Sequence, residues 1–321
     1  GKPRVVPVNI TPAPKRNTDE DVKARYDPNN PNAGQRGRGR GRGQQEPRPG
    51  ALPARELAQQ IDQFLVDNGA LVRVNDAGRE HGQIIAFDNR TYDITKAVPT
   101  VVVRNEDYGR IARILDDGVP VELEFNIVNR TYPEGRTAYN TIAEIQGTDK
   151  KDEVVMLGGH LDSWHSATGA TDNAIGCSIM MEAARILKAL KVQPRRTIRI
   201  ALWSGEEQGL LGSLAYVKKH FASAEAPTAE FAKFNGYLNI DSGTGKPRAA
   251  SVFGPPEAAK MVQDAMDFFK DWGFYQVTPT FGRNTGGTDS TSFNNAGLPG
   301  IGYNQDPFDY NTYTHHTNFD T

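Results

Sequence analysis

From residue 141 to residue 303, short runs of aliphatic and β-branched residues alternate with stretches that repeat apolar positions at helical spacing. Val154 to Leu157 and Ile198 to Trp203 read as strands buried on both faces, and Tyr237 to Ile240 as a weaker third. Thr141 to Ile145, Val252-Phe253 and Gly300 to Tyr303 fit further strands. Between them, 173–190 places Ile175, Ile179, Ala183, Ile186 and Leu190 on one helical face, starting directly after Asp172, and helices are expected at about 209–220 and 256–271. This alternation predicts an α/β fold, a mostly parallel sheet flanked by helices.

The first 130 residues have a different pattern. Leu57, Ile61, Phe64 and Leu65 recur at helical spacing until Gly69, and Ile111, Ile114 and Leu115 repeat that period in Tyr108 to Leu115. Strands are expected at Ala70 to Val74, around Ile84 to Phe87, at Pro99 to Val103, and at Val119 to Val128, where Val121, Leu123, Phe125 and Ile127 alternate. The result is a small α+β domain over 1–130. Val5 to Ile10 would be a further strand, ended by Pro12 and Pro14. Residues 29–53 are rich in Pro, Gly and Arg, including Gly37 to Gly43, and read as a disordered surface insertion. A Gly-Arg tract can bind RNA, but no stacking aromatic interrupts this one, which favours a solvated insertion.

A length of 321 residues suits two domains, and a hydrophobic content of 37% allows a packed core. The formal net charge of −2 argues against a general nucleic-acid binder, so no nucleic-acid partner is expected. No apolar run approaches the roughly 18 residues of a membrane span, and no apolar leader follows Gly1-Lys2-Pro3-Arg4. Cys177 is the only cysteine, which excludes an intrachain disulfide, and its place in a helical pattern reads as packing.

The strand ends carry the chemistry. Open α/β sheets bind ligands beyond the carboxyl ends of their strands. His160-Leu161-Asp162, Glu206-Glu207 and Asp241 all fall there, with Asp172 on the turn after His160. Asp172 alone could simply cap a helix. Glu206-Glu207 alone could be an acidic helix start, although adjacent carboxylates repel unless they share a cation or a proton. Taken together, His160, Asp172, Glu207, Asp241 and His316 supply two imidazoles and three carboxylates. With one carboxylate bridging, that set suits two Zn²⁺ ions and leaves Glu206 free as a general base.

The strings Gly-Gly-His-Leu-Asp-Ser-Trp, Gly-Ala-Thr-Asp-Asn-Ala, Ile-Ala-Leu-Trp-Ser-Gly-Glu-Glu-Gln-Gly-Leu and His-His-Thr-Asn-Phe-Asp-Thr, in this order within 158–321, resemble the M28 family of zinc peptidases. Within it they resemble the plasma glutamate carboxypeptidase branch. The resemblance implies a phosphorylase/hydrolase-like peptidase domain over 131–321, lacking family core sequence at both ends, and a protease-associated domain over 1–130. It makes His160 and Glu207 ligands to different zincs, Asp172 the bridge, Asp241 the partner of His160, and His316 the partner of Glu207. Glu206 becomes the catalytic base, Asp162 the partner behind His160, and Asp289 and His315 pocket residues. His316 is preferred to His315 because the family ligand precedes Thr in His-Thr-x-x-Asp, and because neighbouring side chains in an extended loop point to opposite sides.

The family also implies a short peptide or dipeptide substrate, a possible homodimer and a secreted or periplasmic location. Two departures stand out: His315 occupies a position where relatives carry a tyrosine, and His165 one where this branch often has an acidic residue. Two other functions compete. One is a single-zinc transferase resembling glutaminyl cyclase, the other a non-catalytic peptide-binding module.

Overall fold

Thr18 opens a helix with a reciprocal cap: its hydroxyl accepts the Asp21 N–H at 3.1 Å, and its own N–H donates to the Asp21 carboxylate at 3.2 Å. Helix α1 (Asp19–Tyr26) follows. The structure is a computed structural model that describes residues 18–26, 52–86, 93–130, 132–164, 166–241, 243, 245–284, 286–306 and 309–321. The expected strand at Val5 to Ile10, the Gly-Arg tract as far as residue 51, and His165 lie outside the described residues.

The chain divides into two compact units. In the first, within 38–131, α2 (Ala54–Asp67) precedes β1 (Arg73–Asp76), which pairs in parallel with β2 (Thr100–Val103), and α3 (Asn105–Asp116) follows. Residues 84–86 and 119–128 form no strand, contrary to their alternation. Leu123, Phe125 and Ile127 are exposed. Alternation makes a strand only where a neighbour supplies ladder hydrogen bonds, and among the described residues no strand pairs with 119–128.

The second unit joins α1 to 132–321. Its strands are β3 (Thr141–Ile145), β4 (Lys150–His160), β5 (Arg196–Trp203), β6 (Phe234–Asn239), β7 (Pro247–Phe253), β8 (Gln276–Thr280) and β9 (Gly300–Gln305). The sheet order is β8-β7-β9-β6-β4-β5-β3. Edge strand β3 runs antiparallel to β5, and β9 antiparallel to β7, while every other pairing is parallel. Helices α4 (Ile175–Ala189), α5 (Leu211–His220), α6 (Pro256–Met266) and α7 (Ser290–Ala296) fill the connections.

Strand alternation along β4 separates the layers. Met156 joins Trp203, Tyr216, Phe221, Tyr237 and Phe293 in the larger core cluster, beneath α5 and α7. Gly159 faces the other way, toward Asn173 and Cys177 at the start of α4. A Cβ on Gly158 would lie 2.5 Å from the Ala201 carbonyl oxygen and 2.8 Å from the Tyr237 hydroxyl, so the close approach of β5 and β6 needs glycine there. The Tyr237 hydroxyl accepts the Trp203 indole N–H and donates to Asn239, both at 2.7 Å. Asn239 passes the chain on to Thr288 at 2.8 Å. This buried polar chain ties the ends of β5 and β6 to the loop before α7. A second core, Val252, Ala259, Phe274 and Ile301 among its members, lies between the far strands and α6.

Two sequence expectations fail on α4. It begins at Ile175, three residues after Asp172, whose backbone is not helical. Its buried face is Gly176, Cys177 and Met180, whereas Ile179, Ile186 and Leu190 are exposed. Small residues are what allow the helix to lie against β4, and the Cys177 thiol donates to the His160 carbonyl at 3.0 Å. The apolar stripe therefore points away from the sheet.

Helix α1 lies in this unit rather than with 38–131, the side of the expected boundary to which 1–130 assigned it. Val22 is buried, and Asp19 and Asp306 both meet the buried Arg248 of β7, at 2.8 and 3.1 Å.

Candidate metal centre

Neighbouring parallel strands β6, β4 and β5 end at one edge of the sheet, with His160 in register with Trp203, and Gly158 with Asn239. His160 closes β4, the turn after β5 carries Glu206 and Glu207, and Asp241 follows β6. Asp172 comes from the loop between β4 and α4, and His316 from the loop after β9, itself parallel to β6. All five proposed ligands and Glu206 converge there.

Asp172 stands at the middle. Its Oδ1 is 3.2 Å from His160 Nε2 and its Oδ2 is 3.3 Å from His316 Nε2. Asp241 Oδ1 lies 2.9 Å from His160 Nε2, and Glu207 Oε2 lies 3.1 Å from His316 Nε2. The cluster thus has two ends sharing one carboxylate. Donor atoms of His160, Asp172 and Glu207, and likewise those of His160, Glu206 and Asp241, fall within 4.8 Å of one another.

Asn173 supports the loop: its amide donates to the Ile240 carbonyl at 2.9 Å, and its Oδ1 accepts the Gly176 N–H at 3.2 Å. Asn173, and not Asp172, therefore caps α4. Asp162 does not hold the His160 ring through its side chain, since its carboxylate oxygen is 4.0 Å from Nδ1. That carboxylate instead accepts the N–H groups of Glu206 at 3.1 Å and Glu207 at 3.2 Å.

The opposite-side argument for the histidine pair does not hold. His316 has φ +61°, in the left-handed region, and the His315 and His316 rings lie side by side with centroids 3.7 Å apart and planes tilted by 32°. His315 Nε2 is nevertheless more distant, 4.0 Å from Asp172 Oδ2. Asp289 is fully buried at the start of α7, and burial pushes its carboxyl up to about 7. Tyr310 and Asp320 are site residues that the strand-end argument passed over. The Tyr310 ring packs against His315 with centroids 4.7 Å apart. Asp320 was visible only as the last member of His-Thr-x-x-Asp.

Charge at the centre is out of balance in a way that suits cations. Burial disfavours protonated imidazole at His160, yet the Asp172 and Asp241 carboxylates overcome it and hold the ring well above its ordinary range. Burial likewise opposes protonation of His316, and Asp172 and Glu207 raise it to about 9. Burial, reinforced by the Asp241 charge, pushes Glu206 up to about 9. Asp172 Oδ2 and Glu207 Oε1 are buried and accept no hydrogen bond from the described residues. Buried carboxylate oxygens left in this state are costly unless a cation reaches them. Imidazole nitrogen and carboxylate oxygen are also the donor set that zinc takes, so the residues fit zinc.

The profile described as Peptidase family M28 matches residues 140–321. Mouse (Mus musculus) carboxypeptidase Q is 33% identical over 224 residues, covering 70% of this chain and 45% of that protein. Human (Homo sapiens) carboxypeptidase Q is 30% identical with the same coverage. The chain spans less than half the length of these relatives. A solved structure of a peptidase M28 precursor from Shewanella amazonensis superposes with a TM-score of 0.62 at 30% identity, covering 82% of this chain and 57% of that one. BSAP, a zinc aminopeptidase from Bacillus subtilis, shares the fold with a TM-score of 0.52 at 22% identity, covering 79% of this chain and 59% of its own. A sheet whose parallel strand ends gather two histidines and four carboxylates, and a profile match spanning that whole sheet, place the chain in peptidase family M28.

Proposed function

We propose that the chain is a two-zinc exopeptidase that hydrolyses short peptides or dipeptides. One observation carries this reading: the two oxygens of Asp172 face two different imidazoles, at 3.2 and 3.3 Å. A bridging carboxylate between two metals needs that arrangement, and a single-zinc transferase does not. His160 and Asp241 would hold one zinc, His316 and Glu207 the other, with Asp172 shared.

When bound, zinc supplies a Lewis acid that polarises the scissile carbonyl and acidifies water. The chain does the rest. Glu206, set beside the His160 end by its N–H bond to Asp162, takes a proton from the attacking water and returns it to the leaving amine. Burial and then the Asp241 charge raise the Glu206 carboxyl; with cations held at Asp241 and Glu207 the charge part would be offset, which favours the ionised form that acts as base. Unit 38–131 is read as a protease-associated domain. The support is that it packs separately from the unit carrying the family match and has its own helices and strand pair.

Metal analysis of the purified protein, coupled to a panel of dipeptides and aminoacyl amides, tests this reading. About two zinc ions per chain with turnover of the panel is expected. One zinc would favour the transferase, and none a binding module. Asp172→Ala should lower occupancy at both positions, whereas Glu207→Ala should lower mainly one. Equal, unchanged zinc in the two variants would remove Asp172 from the bridge.

A further inference from the structure

We propose that Asp320 is a positioning residue that clamps the loop bearing Asp172 to the loop bearing His316, and thereby sets the affinity of the second zinc position without ligating it. The inference rests on the two-zinc reading above.

The loop from Thr168 to Asp172 finds few of its polar partners within itself. The Asp320 carbonyl accepts the N–H groups of Thr168 and Gly169, both at 3.0 Å, and the Thr168 hydroxyl at 3.2 Å. The Asp320 Oδ1 accepts the Thr171 N–H at 2.6 Å and its hydroxyl at 2.5 Å, and Oδ2 accepts the Asp172 N–H at 3.1 Å. With the Ala170 N–H, 3.5 Å from the same carbonyl, one buried residue thus accepts from five consecutive amides and two hydroxyls of the loop. Both of its carboxylate oxygens face donors on the loop, so neither is aimed at the metal cluster.

Asp320 lies four positions after His316, in a turn where its own N–H donates to the Thr317 carbonyl at 3.4 Å. The loop it grips is tightly folded: Gly169 has φ +71°, and a Cβ there would sit 2.4 Å from Ser163 Cβ. Bonds to Thr171 and to the Asp172 N–H fix the backbone that leads into the Asp172 Cα, and so constrain where Oδ1 and Oδ2 point. The clamp holds two ligands of the second position, Asp172 and His316, but only the shared Asp172 of the first, whose His160 and Asp241 hang from β4 and β6.

An asparagine at 320 keeps the shape but replaces one acceptor oxygen with an NH₂ group, which confronts an N–H of the loop. Groups that orient metal ligands in this way typically contribute 10- to 100-fold in metal affinity. Metal-free wild type, Asp320→Asn and the milder Thr171→Val are therefore titrated with zinc against a chromophoric chelator, and the thermal midpoint of each metal-free protein is recorded. Wild type should take two zincs. Asp320→Asn should weaken one affinity by about 10- to 100-fold and the other, which shares only Asp172 with the clamp, by clearly less, and Thr171→Val should weaken the same one by a smaller factor. Two unchanged affinities in both variants, or equal weakening of both in step with a lower metal-free midpoint, would overturn the clamp while sparing the two-zinc reading. A wild type that holds only one zinc would overturn that reading and the clamp with it. Should Asp320→Asn not fold, the Thr171→Val titration decides.

Discussion

His160 Nδ1 lies 2.9 Å from the backbone carbonyl of Asp162. A carbonyl only accepts, so Nδ1 carries a proton, and Nε2 faces Asp172 and Asp241, where it would become the ligand atom once a cation takes the place of its own proton. The backbone thereby does the orienting, and the Asp162 carboxylate is released to hold the turn of Glu206 and Glu207.

Asp162→Ala should consequently disturb the glutamates more than the histidine. We expect kcat to fall about 10- to 100-fold, the usual range for an outer partner, with zinc loss confined to the Glu207 position. Zinc loss from the His160 position instead would show that the Asp162 carboxylate orients the ring after all. Site-resolved zinc titration of the variant checks this.

Glu206→Gln should retain both zincs and the fold while kcat falls by roughly 10² to 10⁴, the contribution of a general acid/base. Side-chain volume and the N–H bond to Asp162 survive the change. A fully active variant would assign the proton transfer to another group.

His316→Ala should lose zinc, because its Nε2 is within 3.3 Å of both Asp172 and Glu207. His315→Ala should keep zinc and lower kcat more than it raises KM, as expected for a group that acts on the transition state. The closeness of the two rings makes zinc analysis of both variants decisive: loss in His315→Ala with retention in His316→Ala reverses the assignment.

Asp289 gives a pH signature in the metal-free protein. Its folded carboxyl titrates at about 7, above an unfolded value of about 3.9. Its favourable contribution is therefore complete below about pH 4 and is lost as the pH rises toward 7, because the unfolded chain ionises first. The loss is on the order of 4 kcal/mol. Asp289→Asn has no such dependence, so its stability relative to wild type should climb between pH 4 and 7 and level off above. Thermal midpoints of both proteins across that range measure it, and a constant difference would place the Asp289 pKa elsewhere.

The site was more legible than the scaffolding around it. Parallel strands must end at the same edge, so His160, Glu206, Glu207 and Asp241 could be gathered from three apolar runs without knowing the strand order. His316 needed the family pattern, since nothing local in 310–316 announces a ligand. Asp320 was hidden because its partners lie far along the chain and its carboxylate reads as a surface acid. Helix α4 was misread because its apolar stripe is longer than its true packing face, which small residues occupy. The strand expected at 119–128 failed for the opposite reason: alternation was present and a neighbouring strand was not.

The bond between Asp320 and Thr171 joins residues 149 positions apart. During synthesis, β4, β5 and β6 can emerge and pair while Asp172 still has nothing to grip it and His316 has yet to be made. From the end of β6 at Asn239 to Asp320, at the 5–20 residues per second typical of translation, that gap lasts roughly 4 to 16 seconds. Through that interval the nascent chain exposes half a centre, and its two ends are joined only after residues 316 to 320 have emerged.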